Sequence, residues 1–328
     1  MFEKCFKKNY ISILSRRLKM NTEVSENDVK TFYSLEKALL EPANVRILDL
    51  HYKDLDTFPE EIFRLTNLEE LIIWNNQLEY VPEKISNLNK LRKLDLSGNR
   101  IITLPASISE LKNLETLVVS WNRLAELPVS IGNLVNLKRL GLNNNRIKNL
   151  PDTIANLTNL VELVVSENEL RSLPDSIGNL SNLQKLRAPG NYITKLPDSI
   201  CNLRNLNKLE VHENNLTELP SQIGNLKSLT KVRLFKNLLI SLPDSFCELN
   251  NLQKLLLYEN ELKSLPERIG ALSNLEEFEL GFNYLTTLPD SIKGLEKLKF
   301  ISLTSNEINE EERERINKMI PNARIDWF

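Results

Sequence analysis

The cysteines and histidines, the side chains most used as soft metal ligands, thiolate nucleophiles and general bases, number five: Cys5, Cys201, Cys247, His51 and His212. Their spacing defeats each use. The histidines are 161 residues apart and the two later cysteines 46 apart, whereas zinc ligands come in closely spaced pairs. No G-x-x-x-x-G-K-[ST], H-E-x-x-H, C-x-x-C or G-x-S-x-G occurs. The 44 Asp and Glu residues are spread along the chain and single out no acid–base pair. No cofactor, no metal and no enzymatic activity are expected. What remains is the chemistry of recognition. Trp74, Trp121, Tyr192, Phe235, Tyr258, Phe282 and Tyr284 are large aromatics in polar surroundings, and Trp, Tyr and Arg dominate interface hot spots. Lys185, Lys208, Lys231 and Lys254 recur at a fixed interval of 23, as do Arg100, Arg123 and Arg146.

That interval is the period of the whole chain. From Val45, an apolar residue recurs every 23 positions through Leu68, Leu91, Leu114, Leu137, Leu160, Leu183, Leu206, Leu229, Leu252 and Leu275 to Leu298, giving twelve units without insertion or deletion. The unit beginning at Leu137 reads LKRLGLNNNRIKNLPDTIANLTN. Numbered from that first residue, positions 1, 4, 6, 11, 14, 18 and 21 are apolar, position 9 is Asn and position 15 is Pro. The L-x-x-L-x-L stretch alternates as a short strand with one buried face does. Asn at position 9, from Asn76 to Asn306, can donate and accept, and is expected to join its own turn to the next coil. Proline at position 15 predicts an extended segment outside the ladder. Single coils cannot bury their apolar side, so stability must come from stacking.

These features resemble the leucine-rich repeat family in its 23-residue form with an LP-x-x-I outer segment, and in particular its short bacterial members. The resemblance covers about four-fifths of the chain. It implies an α/β solenoid: a horseshoe with a concave parallel β-sheet, a convex face of extended and 3-10 segments, and helical end caps. Residues 1–24 form a basic extension, expected to be disordered or to lie upstream of a start at Met20. Residues 25–44 should hold a capping helix from Ser25 to about Leu40, stopped by Pro42. Repeats fill 45–309. A cap follows over 310–328, with a helix from Glu310 to Ile320 and a last strand near Arg324–Phe328.

On such a solenoid, positions 3, 5, 7, 8 and 10 face the concave side. Trp74 falls at position 7 and Trp121 at position 8. Phe235 and Tyr258 share position 7 in adjacent units and should stack, with Phe282 and Tyr284 extending the patch. The lysine row Lys185, Lys208, Lys231 and Lys254 lies at position 3, with Glu167, Glu210, Glu213 and Glu259 near enough to compensate it. His51 and His212, both at position 7, read as exposed surface residues. One unit departs from the pattern: Ala188, Pro189 and Gly190 replace the usual strand end. A notch in the ladder is expected there, beside Arg187 and Tyr192. At position 19, Gly132, Gly178, Gly224 and Gly270 recur every 46 residues, as duplication of a two-coil block would leave them.

The formal net charge is −2, which argues against a dedicated nucleic-acid binder. No apolar run suits a membrane span, and no secretory signal is recognised. Cys201 and Cys247 read as reduced fillers, which points to the cytoplasm, with export by a route lacking a classical signal as the alternative. The expected function is a monomeric, non-enzymatic scaffold that binds a protein partner on its concave face. The alternatives are recognition of a glycan or cell-surface polymer, and an exported bacterial effector or adhesin acting on a host protein.

Overall fold

The structure is a computed structural model that describes residues 29–328. The extension over 1–24 and the start of the capping segment lie outside the described residues. Fourteen parallel strands form one sheet in strict sequence order. In each repeat the strand covers positions 3–5, and neighbours pair in phase: Lys185 opposes Lys208, Lys208 opposes Lys231, and Lys231 opposes Lys254. Coils are numbered here from 1, at Val45, to 12, at Leu298.

The core repeats with the sequence. In coil 7, Leu183, Leu186, Ala188, Ile193, Leu196, Ile200 and Leu203 are all fully buried. Each large aliphatic of this kind contributes roughly 1.5–3 kcal/mol on burial. After position 15 the chain turns through a short 3-10 segment, such as Asp175–Asn179 following Pro174 at φ −65°. Proline is pre-set for that angle and its absent N–H is not missed there. Coils 4, 6, 8 and 10 carry glycine at position 19 for a steric reason. A Cβ on Gly178 would lie 2.3 Å from the Ser199 carbonyl oxygen, and one on Gly224 would lie 2.1 Å from that of Ser245. The 46-residue periodicity therefore marks close approach of convex turns.

The Asn ladder runs opposite to the sequence expectation. Asn99 Nδ2 donates to Leu96 O (2.9 Å) in its own turn and to Ile73 O (3.0 Å) in the preceding coil. Its Oδ1 accepts from Leu78 N (3.0 Å), also in the preceding coil. Each Asn thus closes the turn behind it, which is why coil 1 can carry Lys53 at this position: no coil precedes it in the array. A second ladder, not read from the sequence, lies at position 23. Asn136 Nδ2 donates to Lys112 O and Asn159 Nδ2 to Val135 O, again to the coil before.

Position 8 is left-handed in all twelve coils. The residues include Gly98 (φ 65°), Gly190 (φ 63°), Trp121 (φ 58°) and Phe282 (φ 56°). Glycine adopts this region freely, while a bulky side chain is strained there.

The expected notch at Ala188–Gly190 does not form. Ala188 N donates to Glu210 O and Gly190 N to His212 O, while Pro189 O accepts from Glu167 N. The donors on either side fall at positions 6 and 8 and position 7 donates to no neighbouring coil, so proline there removes no ladder bond, and the register continues unbroken.

The amino-terminal cap also differs from its expectation. Thr31–Phe32 is a strand, β1, paired with Ile47–Asp49, β2. The helix, α1, spans only Leu35–Leu39, and the Ser34 side chain accepts from Lys37 N at its start. Phe32 is buried while Val29 and Tyr33 are exposed. The sheet edge is thus extended by a strand before the short helix covers it. At the other end, helix α2 runs over Glu310–Met319, and Arg324–Asp326 adds the last strand, β14. Glu312 clamps α2 to coil 11. Arg315, Thr287 and the Leu288 N–H all donate to it, with Arg315 foremost in holding its pKa down to about 2.

Candidate functional site

Because strands repeat in phase, residues at one position form a row along the solenoid. The concave sheet therefore reads as parallel rows at positions 3, 5 and 7, and side chains one strand apart meet.

Two groups of rings stand at position 7. In coils 1 and 2, His51 stacks on Trp74 with centroids 5.1 Å apart and planes within 8°. Tyr52 meets Trp74 edge-on at 4.8 Å. His51 Nδ1 lies 2.6 Å from Asp49 Oδ1. In coils 8 to 10, His212, Phe235 and Tyr258 form a continuous column. Their centroid separations are 4.1 Å and 4.4 Å, with interplanar angles of 24° and 9°. The expected Phe235–Tyr258 stack is present. His212 is its third member, not an isolated surface residue. Burial lowers the His212 pKa to about 4, and the nearby Arg233 and Lys236 push the same way. Its Nδ1 is buried without a hydrogen-bond partner among the described residues. The signal for His212 lay in the sequence, one period before Phe235.

Phe282 and Tyr284 do not extend the column. Position 7 of coil 11 is Gly281, so the row of rings stops at Tyr258. Phe282 at position 8 and Tyr284 at position 10 are exposed by 56% and 51% and stack on no ring among the described residues. Trp121, also at position 8, is half-buried and lies outside both ring groups. Tyr192, at position 10, lies past the end of its strand and lines a shallow depression of about 280 Å³ with Lys148, Asn149, Glu169 and Arg171. Arg187 is absent from that lining, so the two residues expected beside a notch serve different surfaces.

Arg187 belongs to an ionic row at position 5. Glu210 is buried between it and Arg233, at 3.2 Å and 3.4 Å. Glu162 contacts Arg187 at 3.4 Å and Arg139 at 3.6 Å. The lysine row forms as expected, but its compensation does not. Glu210 is held by arginines, and Glu213 lies 3.9 Å from Lys236. Only Lys254 has a carboxylate partner, Glu277. Among the described residues, Lys185, Lys208 and Lys231 form no salt bridge. In coils 4 to 6, by contrast, position 5 holds Val118, Gly141 and Val164, so that row is uncharged there.

Among the described residues no group of three or more His, Cys, Asp or Glu side chains converges as a metal site. None of their helices is long and apolar enough to cross a membrane.

Comparison with known proteins follows the same lines. A family profile described as leucine-rich repeat region matches residues 75–171, 117–187 and 163–255, and a second, described as leucine rich repeat, matches 43–101 and 250–308. No curated protein matches the chain in sequence. Among solved structures, a leucine-rich repeat protein of Leptospira interrogans is 31% identical over 91% of this chain and 100% of its own, with a TM-score of 0.49. The plant peptide hormone receptor RGFR1, solved in complex with RGF2, is 31% identical over 84% of this chain, with a TM-score of 0.72. The present chain spans 50% of that receptor chain. An internalin of Listeria monocytogenes shares the fold at 24% identity and a TM-score of 0.69, over 90% of this chain and 92% of its own.

Proposed function

The chain belongs to the leucine-rich repeat family, and from that premise we propose that it is a non-enzymatic scaffold that holds a protein partner against its concave sheet. The observation that carries the reading is the contrast between the two sides of the solenoid. The convex turns close on one another through glycines and backbone contacts. The concave rows hold two ring groups and three successive lysines, Lys185, Lys208 and Lys231, that form no salt bridge among the described residues. The sheet is paired in register along its whole length, so these side chains stand on a common hydrogen-bonded frame, and such positioning lowers the ordering cost of binding. Twelve coils at about 4.8 Å each give a face roughly 55 Å long, ample for a protein interface. RGFR1, a relative in fold, has been solved with RGF2. A cytoplasmic placement belongs to the same proposal. Cys201 and Cys247 are buried free thiols with pKa values pushed up to about 11, chiefly by burial, and such thiols suit a reducing compartment. The stacked columns favour protein over glycan, because rings packed face to face withhold the faces that sugars stack on.

The test is affinity capture from native extract, read by mass spectrometry, with wild type beside a Trp74→Ala, Phe235→Ala, Tyr258→Ala variant shown to fold by circular dichroism. A partner retained by wild type and lost by the variant is the expected result. Capture of the same proteins by both would move binding off the concave face.

A further inference from the structure

Charge is distributed very unevenly along the concave sheet. At positions 3 and 5 of coils 7 to 9 stand Lys185, Arg187, Lys208, Lys231 and Arg233 against one carboxylate, Glu210, in a chain whose net charge is −2. That carboxylate is buried between the two arginines. Glu162, opposite Lys185 in register, is turned toward Arg139 and Arg187. The three lysines thus stand one strand apart as like charges without salt-bridge partners among the described residues, an arrangement that repels. Lys231 shows the strain. Its pKa is lowered by burial first and then by Arg233, Lys254 and Lys208, against an opposing pull from Glu210.

The ring column beside this patch has a defined polarity. His212, Phe235 and Tyr258 sit on successive coils and stack along the solenoid axis. Their faces are therefore turned to one another and their edges to the concave opening. Aromatic edges carry the positive end of the ring quadrupole, so the column adds to the attraction for anionic and carbonyl oxygens. It offers few free faces for stacking bases, as single-stranded nucleic acid requires.

We propose that coils 7 to 9 bind an acidic segment of the partner protein, lying along the solenoid axis over Lys185, Lys208 and Lys231 and flanked by the ring edges of His212, Phe235 and Tyr258. The proposal rests on the reading of the concave face as a protein-binding surface and names the chemistry of the occupant. The three lysines span two strand spacings, about 10 Å, which about three residues of extended chain cover.

The experiment is fluorescence anisotropy with the full chain and three labelled probes: an oligo-glutamate peptide, its oligo-glutamine counterpart and a single-stranded oligothymidylate. The variants are Lys185→Gln, Lys208→Gln, Lys231→Gln combined, and Lys293→Gln, on the convex turn Asp290–Gly294, as a charge-matched control remote from the patch. Oligo-glutamate is expected to bind and oligo-glutamine not to. The triple variant should weaken binding about tenfold, the sum of three exposed ion pairs, while Lys293→Gln leaves it unchanged. Absence of oligo-glutamate binding, or equal binding by the triple variant, overturns the proposal. Equal affinity for oligothymidylate with the same lysine dependence overturns it too, by making the patch a general polyanion surface. If these results fail while a captured partner still depends on Trp74, Phe235 and Tyr258, only the acidic-segment assignment falls. Loss of both removes the concave reading.

Discussion

His51 and His212 occupy the same position of the same repeat, seven coils apart, and each stacks on a ring one strand away. Their surroundings are opposite. His51 Nδ1 sits 2.6 Å from the Asp49 carboxylate. His212 has no hydrogen-bond partner at Nδ1 among the described residues, and Arg233 and Lys236 disfavour its charged form. The backbone frame is common to both, since each is followed by a coil whose Asn fixes the turn. The difference comes from the neighbouring rows: Asp49 at position 5 of coil 1, against Arg233 at position 5 of coil 9. The repeat decides where a side chain stands, and the residues one strand or two positions away decide what it can do.

The largest expected effect tests whether the frame is shared. Asn76→Ala and Asn237→Ala each orphan buried backbone groups: Leu50 O, Ile73 O and Leu55 N in one case, and Val211 O, Leu234 O and Leu216 N in the other. Each should lose about 3 kcal/mol in urea denaturation. Markedly unequal losses would break the equivalence. Next comes pH. The folded-state pKa of His212, about 4, lies below the ordinary value of 6.5. The unfolded chain then binds more protons between those values, so stability should fall as pH drops from about 6.5 to 4, by roughly 1–2 kcal/mol. The loss should disappear in His212→Phe, and thermal melts across that window would read it. A smaller effect has the opposite sign. Trp121→Asn should raise stability by about 1 kcal/mol, because Asn tolerates the left-handed angle better than Trp; a lower melting temperature would show that Trp121 packs more than it strains. Smallest is Pro189→Ala at the end of the ring column, expected to change stability by less than about 1 kcal/mol, since no ladder bond depends on position 7.

Much of the fold was legible because one feature repeats. Leucines at positions 4 and 6 and proline at 15 fix strand, buried face and turn, and the in-phase period fixes the register of Lys185, Lys208 and Lys231. From that register the Phe235–Tyr258 stack follows. What failed depended on directions that a sequence does not carry. Asn99 was expected to bond forward and bonds backward. Pro189 was read as a ladder breaker, although position 7 donates no bond between coils. The segment from Ser25 to about Leu40 was read as one helix, while the alternation of buried Phe32 and exposed Tyr33 belongs to an edge strand. Glu210 was counted against the lysine row because nearness in sequence does not show that two arginines hold it.

Site-specific photocrosslinking in native extract tests the central claim most directly. A benzophenone side chain would replace Ser166, at position 7 of the concave sheet, or Asp198, exposed on the convex side. The account predicts a discrete protein adduct from position 166 and none from position 198. An adduct from position 198 alone would contradict it.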